Sequence, residues 1–124
     1  MNKKKILVVD DSPIVRQQVQ LALKDCGFEI LEAGDGAEGM SKIAADGSIG
    51  LVILDVNMPR MNGLEMLEKV KEDGQNPALQ VVMLTSEGQQ SLIERAKKAG
   101  AKGWIVKPFK AELLAAAVRK LLAA

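Results

Sequence analysis

Four apolar runs in this chain of 124 residues are each followed by an ionisable or hydroxyl side chain, and this pattern restricts the possible folds most strongly. The runs and their following residues are 6–9 with Asp10 and Asp11, 51–54 with Asp55, 81–84 with Thr85, and 105–106 with Lys107. Short apolar runs are typical of strands that are buried on both faces. If the strands are parallel, their carboxyl ends meet at one edge of the sheet. Open α/β sheets bind ligands at that edge.

Strand-length apolar runs alternate with segments of helical periodicity along the chain. We predict strands at 5–9, 28–33, 51–54, 80–84 and 103–106, and helices at 13–25, 37–46, 64–73, 88–99 and 110–122. This alternation predicts an α/β fold in which right-handed crossovers join parallel strands and helices cover both faces of the sheet. The run 28–33 contains Glu29 and Glu32, so it fits an edge strand better than a central one.

Length and charge exclude several classes of protein. The length fits one domain, so we expect a single domain over residues 1–124. With 17 basic and 16 acidic side chains, the chain has no general attraction to nucleic acid or to an anionic membrane. No apolar stretch approaches the ~20 residues of a membrane span. The first residues show neither the apolar segment nor the small-residue cleavage site of a secretory signal, so we expect none. Cys26 is the only cysteine, so no internal disulfide is possible, and we expect a cytoplasmic protein.

The chain contains neither histidine nor tyrosine. It therefore has no Ser-His-Asp or Cys-His site, no imidazole ligand for zinc and no phosphohistidine of its own. The remaining reactive groups are carboxylates, hydroxyls, lysines and one thiol. Oxygen ligands without histidine or a thiolate pair favour a hard cation such as Mg²⁺ over a softer metal.

Asp10, Asp11 and Asp55 would need a cation if they lie close together. Two carboxylates ~5 Å apart repel each other by roughly 3 kcal/mol at an effective dielectric constant of 20. A divalent cation removes this repulsion, and Lys107 neutralises part of the remaining charge. Carboxylates also act as phosphoryl nucleophiles, and the transfer depends mainly on positioning and charge balance. We therefore predict that Asp55 attacks phosphorus, that Mg²⁺ and Lys107 balance charge, and that Thr85 donates to a phosphoryl oxygen. Each residue alone also fits a helix cap or a loop, and only the combination indicates a site.

The same residues lie in segments that resemble the receiver domain of bacterial response regulators, of the single-domain chemotaxis type. The segments are Val-Val-Asp-Asp-Ser at 8–12, Leu-Asp-Val-Asn-Met-Pro-Arg-Met-Asn-Gly at 54–63, Leu-Thr at 84–85 and Lys-Pro-Phe at 107–109. The resemblance covers essentially the whole chain. It implies a flavodoxin-like fold whose five parallel strands have the order 2-1-3-4-5, with five helices on both faces. It also implies a cis peptide bond between Lys107 and Pro108.

The resemblance further implies a phosphoacceptor in a two-component system. A histidine kinase or a histidine-phosphotransfer protein would donate the phosphoryl group to Asp55. Mg²⁺ would be held directly by Asp11 and Asp55, by the backbone carbonyl of Asn57, and by Asp10 through water or weakly. Such a protein is not an enzyme in the usual sense, because it assists only its own phosphorylation and dephosphorylation.

Two further pairs of residues take their roles from the resemblance. Thr85 and Trp104 would form the switch, in which the hydroxyl moves toward the phosphoryl group and the aromatic ring turns inward. The family usually has Tyr or Phe at the aromatic position, and the larger Trp104 has an N–H that needs a partner when buried, so inward rotation would be incomplete. Alternatively, Trp104 stays outside and caps the last strand. Asn57 and Glu87 would tune the lifetime of the phosphate, or they are only solvated loop residues.

The resemblance places the signalling surface on residues 88–122. The downstream target would be a protein, with a flagellar motor switch protein as the best guess, and the unphosphorylated chain would be a monomer. The surface charges have mixed sign and also fit a plain solvated exterior; they are Glu94, Arg95, Lys97, Lys98, Lys110 and Lys120.

Three alternative functions remain. The chain could be a phosphorelay intermediate or a phosphate sink. It could be a Mg²⁺-dependent phosphohydrolase that forms an aspartyl phosphate, although such enzymes usually carry an acid two residues after the nucleophile, where this chain has Asn57. It could also be a degenerate receiver that serves as a constitutive docking module. The complete set of acids, hydroxyl and lysine argues against this last alternative.

Overall fold

Strands and helices alternate along the chain as the sequence predicts. The computed structural model describes residues 5–56, 63–73, 79–85 and 90–122. The elements within these ranges are β1 Lys5–Val9, α1 Pro13–Leu23, β2 Glu29–Ala33, α2 Gly36–Ala45, β3 Ile49–Asp55, α3 Gly63–Asp73, β4 Gln80–Thr85, α4 Gln90–Lys98, β5 Gly103–Val106 and α5 Ala111–Leu122. The strands form one sheet in the order β2-β1-β3-β4-β5, and all neighbouring pairs are parallel. The flavodoxin-like fold and its strand order are confirmed.

Two apolar layers cover the two faces of the sheet. Successive residues of a strand point to opposite faces, so Val8 and Val9 belong to different clusters of buried side chains. The cluster on one face includes buried residues of α3 and α4, such as Leu67 and Ala96. The cluster on the other face includes residues of α1 and α5, such as Val19. The central strands are apolar because both of their faces are buried.

The predicted and observed element boundaries differ mainly where backbone pairing or capping decides them. β3 begins at Ile49, two residues before the run 51–54, because Ile49 is buried and pairs with Lys5 of β1. The helix α1 ends at Leu23 rather than at residue 25, and the chain then turns through Gly27 with φ of 84°. A positive φ is easy for glycine, which has no Cβ. The strands β3 and β4 extend far enough to include Asp55 and Thr85.

The first helix starts directly behind the end of β1. Ser12 is its N-cap, and the Ser12 hydroxyl oxygen accepts a hydrogen bond from the backbone N–H of Val15 at 3.3 Å. Pro13 occupies the first turn, where its missing N–H costs no helical hydrogen bond. This cap fixes the short connection that carries Asp10 and Asp11. Among the described helices, none combines the length and apolar character that crossing a membrane requires.

Candidate functional site

Three buried polar side chains lie at the carboxyl-terminal edge of the sheet. Asp10 follows β1, while Asp55 ends β3 and Thr85 ends β4. Their exposed fractions are 1%, 4% and 0%. Asp55 pairs with Leu84 across the β3–β4 ladder, so Thr85 lies one position farther along the neighbouring strand. The parallel arrangement therefore brings together residues that are far apart in the sequence, as predicted.

The acidic cluster consists of Asp10, Asp11 and Asp55. One carboxylate oxygen from each of these residues lies within 4.8 Å of the other two. Asp11 is exposed to solvent, whereas Asp10 and Asp55 are buried. Charges at this spacing repel by roughly 3 kcal/mol per pair at an effective dielectric constant of 20. The cluster therefore favours a bound cation, and its all-oxygen ligands suit Mg²⁺.

Lys107 brings one positive charge to the acidic cluster. Its ammonium donates to Asp10 Oδ2 at 2.8 Å and to Asp55 Oδ1 at 3.4 Å. Desolvation is the largest single influence on the pKa of Lys107 and lowers it, but the hydrogen bond to Asp10 and the charges of Asp55 and Asp10 together raise the pKa above its ordinary value. Lys107 therefore stays protonated at neutral pH. One ammonium against three carboxylates leaves an excess of negative formal charge.

Backbone contacts hold Asp10 and Lys107 in these positions. The backbone N–H of Asp10 donates to Ala33 O at 3.1 Å, and the backbone N–H of Ser12 donates to Asp10 Oδ1 at 2.9 Å. The backbone N–H of Lys107 donates to Thr85 O at 2.7 Å, which ties the end of β5 to the end of β4. The peptide bond between Lys107 and Pro108 is cis, as the resemblance implied.

Thr85 and Trp104 lie on the same face of the sheet. Trp104 of β5 pairs with Met83 of β4, and Thr85 is two residues beyond Met83. Trp104 is half-buried and packs against the cluster that covers this face. Its indole N–H is buried and has no hydrogen-bond partner among the residues that the structure describes. A cavity of about 60 Å³ lies beside the ring and is also lined by Ile93 and Ala96 of α4.

Comparison with known families identifies the relatives of this chain. The sequence model of the response regulator receiver domain matches residues 6–119. The chain belongs to the receiver domain family. Members of this family are regulators rather than classical enzymes, and they bind Mg²⁺ at an acidic pocket. This chain has an acidic cluster of Asp10, Asp11 and Asp55.

Several similar proteins carry chemotaxis in their names. Chemotaxis protein CheY1 of Helicobacter pylori is 40% identical over 111 residues, which are 89% of this chain and 90% of that protein. The CheY homolog of Campylobacter jejuni is 37% identical over 111 residues, which are 89% of this chain and 85% of that protein. The solved structure of Vibrio cholerae chemotaxis protein CheY4 is 38% identical, with a TM-score of 0.88, and covers 96% of this chain and 98% of the CheY4 chain.

An arginine of this receiver domain, which the sequence analysis did not single out, contacts the backbone of the acidic cluster. The guanidinium of Arg16 on α1 donates through Nη1 to the carbonyl oxygen of Asp10 at 2.5 Å and through Nε to Glu32 Oε1 at 2.8 Å. Glu32 lies on β2, and its other carboxylate oxygen accepts from Gln20 Nε2 at 3.0 Å. The only signals in the sequence were the charges of Glu29 and Glu32 in the run 28–33, which we interpreted as an edge strand.

A glycine was missed as well. The backbone N–H of Gly63 at the start of α3 donates to Val56 O at 2.9 Å. A Cβ at position 63 would overlap the carbonyl oxygen of Asp55 and lie 2.8 Å from its carbonyl carbon. Only glycine allows the start of α3 to approach the backbone of Asp55 this closely. The segment 54–63 contains this glycine, but the sequence does not show which atoms it faces.

Two predicted site residues, Asn57 and Glu87, lie outside the described residues.

On the predicted signalling surface, Arg95 of α4 forms a two-pronged ion pair with Glu68 of α3, with distances of 3.0 and 2.9 Å. This pair joins the surfaces of α3 and α4, but both side chains are nearly half exposed, so it adds little to stability. It also raises the pKa of Arg95 and lowers that of Glu68. Arg95, Lys97 and Lys98 are all exposed, and Arg95 in addition contacts Glu68.

Proposed function

We propose that this receiver domain accepts a phosphoryl group on Asp55 from the phosphohistidine of a kinase or a histidine-phosphotransfer protein, and that its output is binding to another protein. The observation that carries this proposal is the convergence of three carboxylates and one ammonium at the carboxyl-terminal edge of the sheet. The similarity to chemotaxis proteins over most of the chain supports the same assignment.

The acidic cluster fits Mg²⁺ in both the type and the spacing of its ligands. Asp11 and Asp55 would hold the ion directly, Asp10 through water or weakly, and the backbone carbonyl of Asn57 would complete the set. When bound, Mg²⁺ supplies positive charge to the oxygens of the transferred phosphoryl group.

In the proposed transfer, a carboxylate oxygen of Asp55 attacks the phosphorus atom of the phosphohistidine. A new O–P bond forms while the P–N bond breaks, and the imidazole nitrogen of the donor keeps the electron pair of the broken bond. The ammonium of Lys107, which already contacts Asp55, offsets the negative charge that collects on the phosphoryl oxygens. Thr85, buried at the end of the neighbouring strand, donates its hydroxyl hydrogen to one of these oxygens. Asn57 and Glu87 would orient or exclude the water that later hydrolyses the aspartyl phosphate.

Phosphorylation then shifts a conformational equilibrium through Thr85 and Trp104. The two residues share one face of the sheet, so movement of the Thr85 hydroxyl toward the phosphate changes the space into which Trp104 can turn. A phosphoryl group that favours the active state ~100-fold supplies roughly 2.7 kcal/mol to this shift. The changed surface would comprise residues 88–122, and residues 1–124 would act as a single receiver domain, monomeric when unphosphorylated. The names of the relatives favour chemotaxis signalling. The proposed target is a flagellar motor switch protein, and the proposed location is the cytoplasm.

The decisive experiment is transfer of labelled phosphate from a phosphorylated histidine kinase in the presence of Mg²⁺. The native protein should become labelled, and Asp55→Asn should remain unlabelled because an amide is a poor nucleophile. Asp46→Asn is the matched control, because it makes the same chemical change at the opposite end of the sheet and should be labelled like the native protein. Acid-labile label on Asp55→Asn would refute the assignment. Turnover of small phosphate esters without a kinase would favour a phosphohydrolase instead.

A pull-down from cell extract with beryllofluoride-treated protein, compared with untreated protein, identifies the class of target. Enrichment of a flagellar motor protein in the treated sample supports the chemotaxis output. Enrichment of histidine-phosphotransfer proteins alone would indicate a phosphorelay intermediate or a phosphate sink.

A further inference from the structure

The peptide that joins Asp10 to Asp11 is fixed from outside the acidic cluster. Its carbonyl oxygen accepts the hydrogen bond from Arg16 Nη1 at 2.5 Å, while the backbone N–H of Asp10 is held by Ala33 O at 3.1 Å. A peptide unit is planar, so fixing its carbonyl direction also fixes the position of the following Cα atom. The Cα atom in question belongs to Asp11, which is exposed. The direction in which the Asp11 carboxylate leaves the backbone therefore depends on Arg16.

Arg16 is itself held in place by a side-chain network on the edge of the sheet. Glu32 accepts from Arg16 Nε at 2.8 Å with one carboxylate oxygen and from Gln20 Nε2 at 3.0 Å with the other. Arg16 and Gln20 lie one helical turn apart on α1, so Glu32 connects β2 to two successive turns of this helix. We call this set of Arg16, Gln20 and Glu32 the Arg16 brace.

The type of side chain at position 16 matters for this arrangement. The guanidinium presents several N–H donors in a planar fork, so it bonds to the Asp10 carbonyl and to Glu32 at the same time. A lysine ammonium at the end of a flexible chain has the same charge but lacks the fork. The side chain of Arg16 is 18% exposed, which limits the alternative positions that it can adopt.

We propose that Arg16 is a positioning residue of the metal site: it orients the Asp10–Asp11 peptide so that the Asp11 carboxylate faces Asp55, and it thereby raises the affinity for Mg²⁺. This inference rests on the proposed function, because it assumes that the acidic cluster holds that ion. Groups that hydrogen-bond to metal ligands and orient them without contacting the metal typically lower the metal affinity by about 10- to 100-fold when they are removed.

Isothermal titration calorimetry with Mg²⁺ tests the proposal on the purified full chain. Arg16→Gln should raise the Kd about tenfold. Glu32→Gln, which weakens the contact that holds Arg16 without touching the Asp10 carbonyl, should raise the Kd by a smaller factor. Lys24→Gln is the matched control, because it removes one positive charge from the end of the same helix and should leave the Kd unchanged. Arg16→Lys should recover only part of the affinity, since it restores charge but not the fork.

Urea unfolding in metal-free buffer, measured on the same variants, separates positioning from simple support of the fold. A lower unfolding midpoint with an unchanged Kd would overturn the proposal, since Arg16 would then only stabilise α1. Full recovery in Arg16→Lys would also overturn it, because the fork would then not matter. An equal rise of the Kd in Arg16→Gln and Lys24→Gln would overturn it too, because the effect would not depend on the contact with the Asp10 carbonyl. If Arg16→Gln does not fold, the Kd values of Glu32→Gln and Lys24→Gln are compared instead. A higher Kd in Glu32→Gln alone supports the proposal, and equal Kd values refute it.

One further variant distinguishes failure of this inference from failure of the proposed function. Asp11→Asn should greatly weaken Mg²⁺ binding if the acidic cluster is the metal site. Loss of binding in Asp11→Asn together with a native Kd in Arg16→Gln and Glu32→Gln would leave the proposed function intact and refute the role of Arg16. Absence of Mg²⁺ binding to the native protein would refute both.

Discussion

The two ends of the parallel sheet both carry charged side chains, but these are paired in different ways among the described residues. At the amino-terminal end, Lys5 Nζ lies 2.7 Å from Asp46 Oδ2, and the backbone N–H and hydroxyl of Ser48 donate to Asp46 Oδ1 at 2.9 and 2.5 Å. Lys5 and Asp46 form a one-to-one ion pair there, and both carboxylate oxygens of Asp46 accept hydrogen bonds. The charge of Glu29 also acts on Lys5 and raises its pKa further. At the carboxyl-terminal end, three carboxylates lie close together, and the ammonium of Lys107 pairs with two of them, those of Asp10 and Asp55.

This difference separates a contact that supports the fold from a site that needs a ligand. The hydrogen bond from Lys5, followed by those from Ser48, lowers the pKa of Asp46 to about 2, so the charged form is well stabilised without any ligand. In the acidic cluster, mutual repulsion of the carboxylates works against the folded state until a cation arrives. An excess of one charge in a buried position, rather than the presence of charge, therefore indicates function.

The largest expected effect on stability comes from Gly63→Ala at the carboxyl-terminal end. The new Cβ would overlap the backbone of Asp55, so the free energy of unfolding should fall by about 3 kcal/mol, the upper part of the usual range for overpacking. Urea unfolding measures this loss. Gly47→Ala, at the other end of the sheet, adds a Cβ that meets no atom within 4 Å and should be nearly neutral. Equal unfolding midpoints for the two variants would show that the backbone of Asp55 tolerates displacement.

Asp11→Asn should change the free energy of unfolding in opposite directions with and without Mg²⁺, relative to the native protein. At a Mg²⁺ concentration 100 times its Kd, the native protein gains about 2.7 kcal/mol in the free energy of unfolding. Asp11→Asn should lose most of this gain, yet without metal it should be more stable than the native protein by up to about 1 kcal/mol, because one repelling charge is gone. Asp46→Asn should keep the full gain from Mg²⁺. A native response in Asp11→Asn would show that this carboxylate is not a ligand.

Lys107→Ala should disturb switching more than metal binding. Emission of Trp104, the only tryptophan, reports on the state of the site, and its response to Mg²⁺ and beryllofluoride is the measurement. The variant should need about tenfold more beryllofluoride for half of the response, or roughly 1.4 kcal/mol, while its Mg²⁺ affinity changes less. Equal losses of the beryllofluoride response and of Mg²⁺ affinity would show that Lys107 does not act mainly in switching. A flat native response, with Mg²⁺ binding confirmed by calorimetry, would show that Trp104 is not coupled to the site.

The smallest effect should appear at the amino-terminal end of the sheet, in the pH dependence of the stability of Asp46→Asn. The pKa of Asp46 is lowered from 3.8 to about 2 in the folded chain. A lowered pKa stabilises the fold above the unfolded value, and this contribution disappears as the pH falls through the folded value. The native protein should therefore exceed Asp46→Asn in stability at neutral pH by a constant amount, and the difference should shrink between about pH 4 and pH 2. Urea unfolding at several pH values checks this, and a difference that persists at pH 2 would contradict it.

The sequence predicts well which residues lie at the carboxyl-terminal end of the sheet, because this depends only on their position at the end of a strand. Asp10 and Asp55 each follow an apolar run, and parallel strands bring such positions to one edge regardless of side-chain detail. The strand order and the cis bond before Pro108 came from the resemblance to a family rather than from the physical reading of the residues.

Contacts that depend on the packing of side chains from separate elements could not be predicted in this way. Arg16 of α1 reaches the Asp10 carbonyl because this helix packs next to Glu32 of β2. The periodicity of a helix in the sequence does not show which neighbouring residues its polar face contacts. The close approach of Gly63 to Asp55 depends on the path of the backbone. The half-buried position of Trp104, with its N–H unpartnered among the described residues, depends on how α4 packs against β5.

A crystal structure of the full chain grown with Mg²⁺ and beryllofluoride would show whether the acidic cluster binds both the metal and the phosphoryl group. We expect one Mg²⁺ in contact with carboxylate oxygens of Asp11 and Asp55, beryllofluoride attached to Asp55, and no ion beside the ion pair of Lys5 and Asp46. An unmodified Asp55, or a cation located away from the acidic cluster, would refute the proposed phosphoacceptor site.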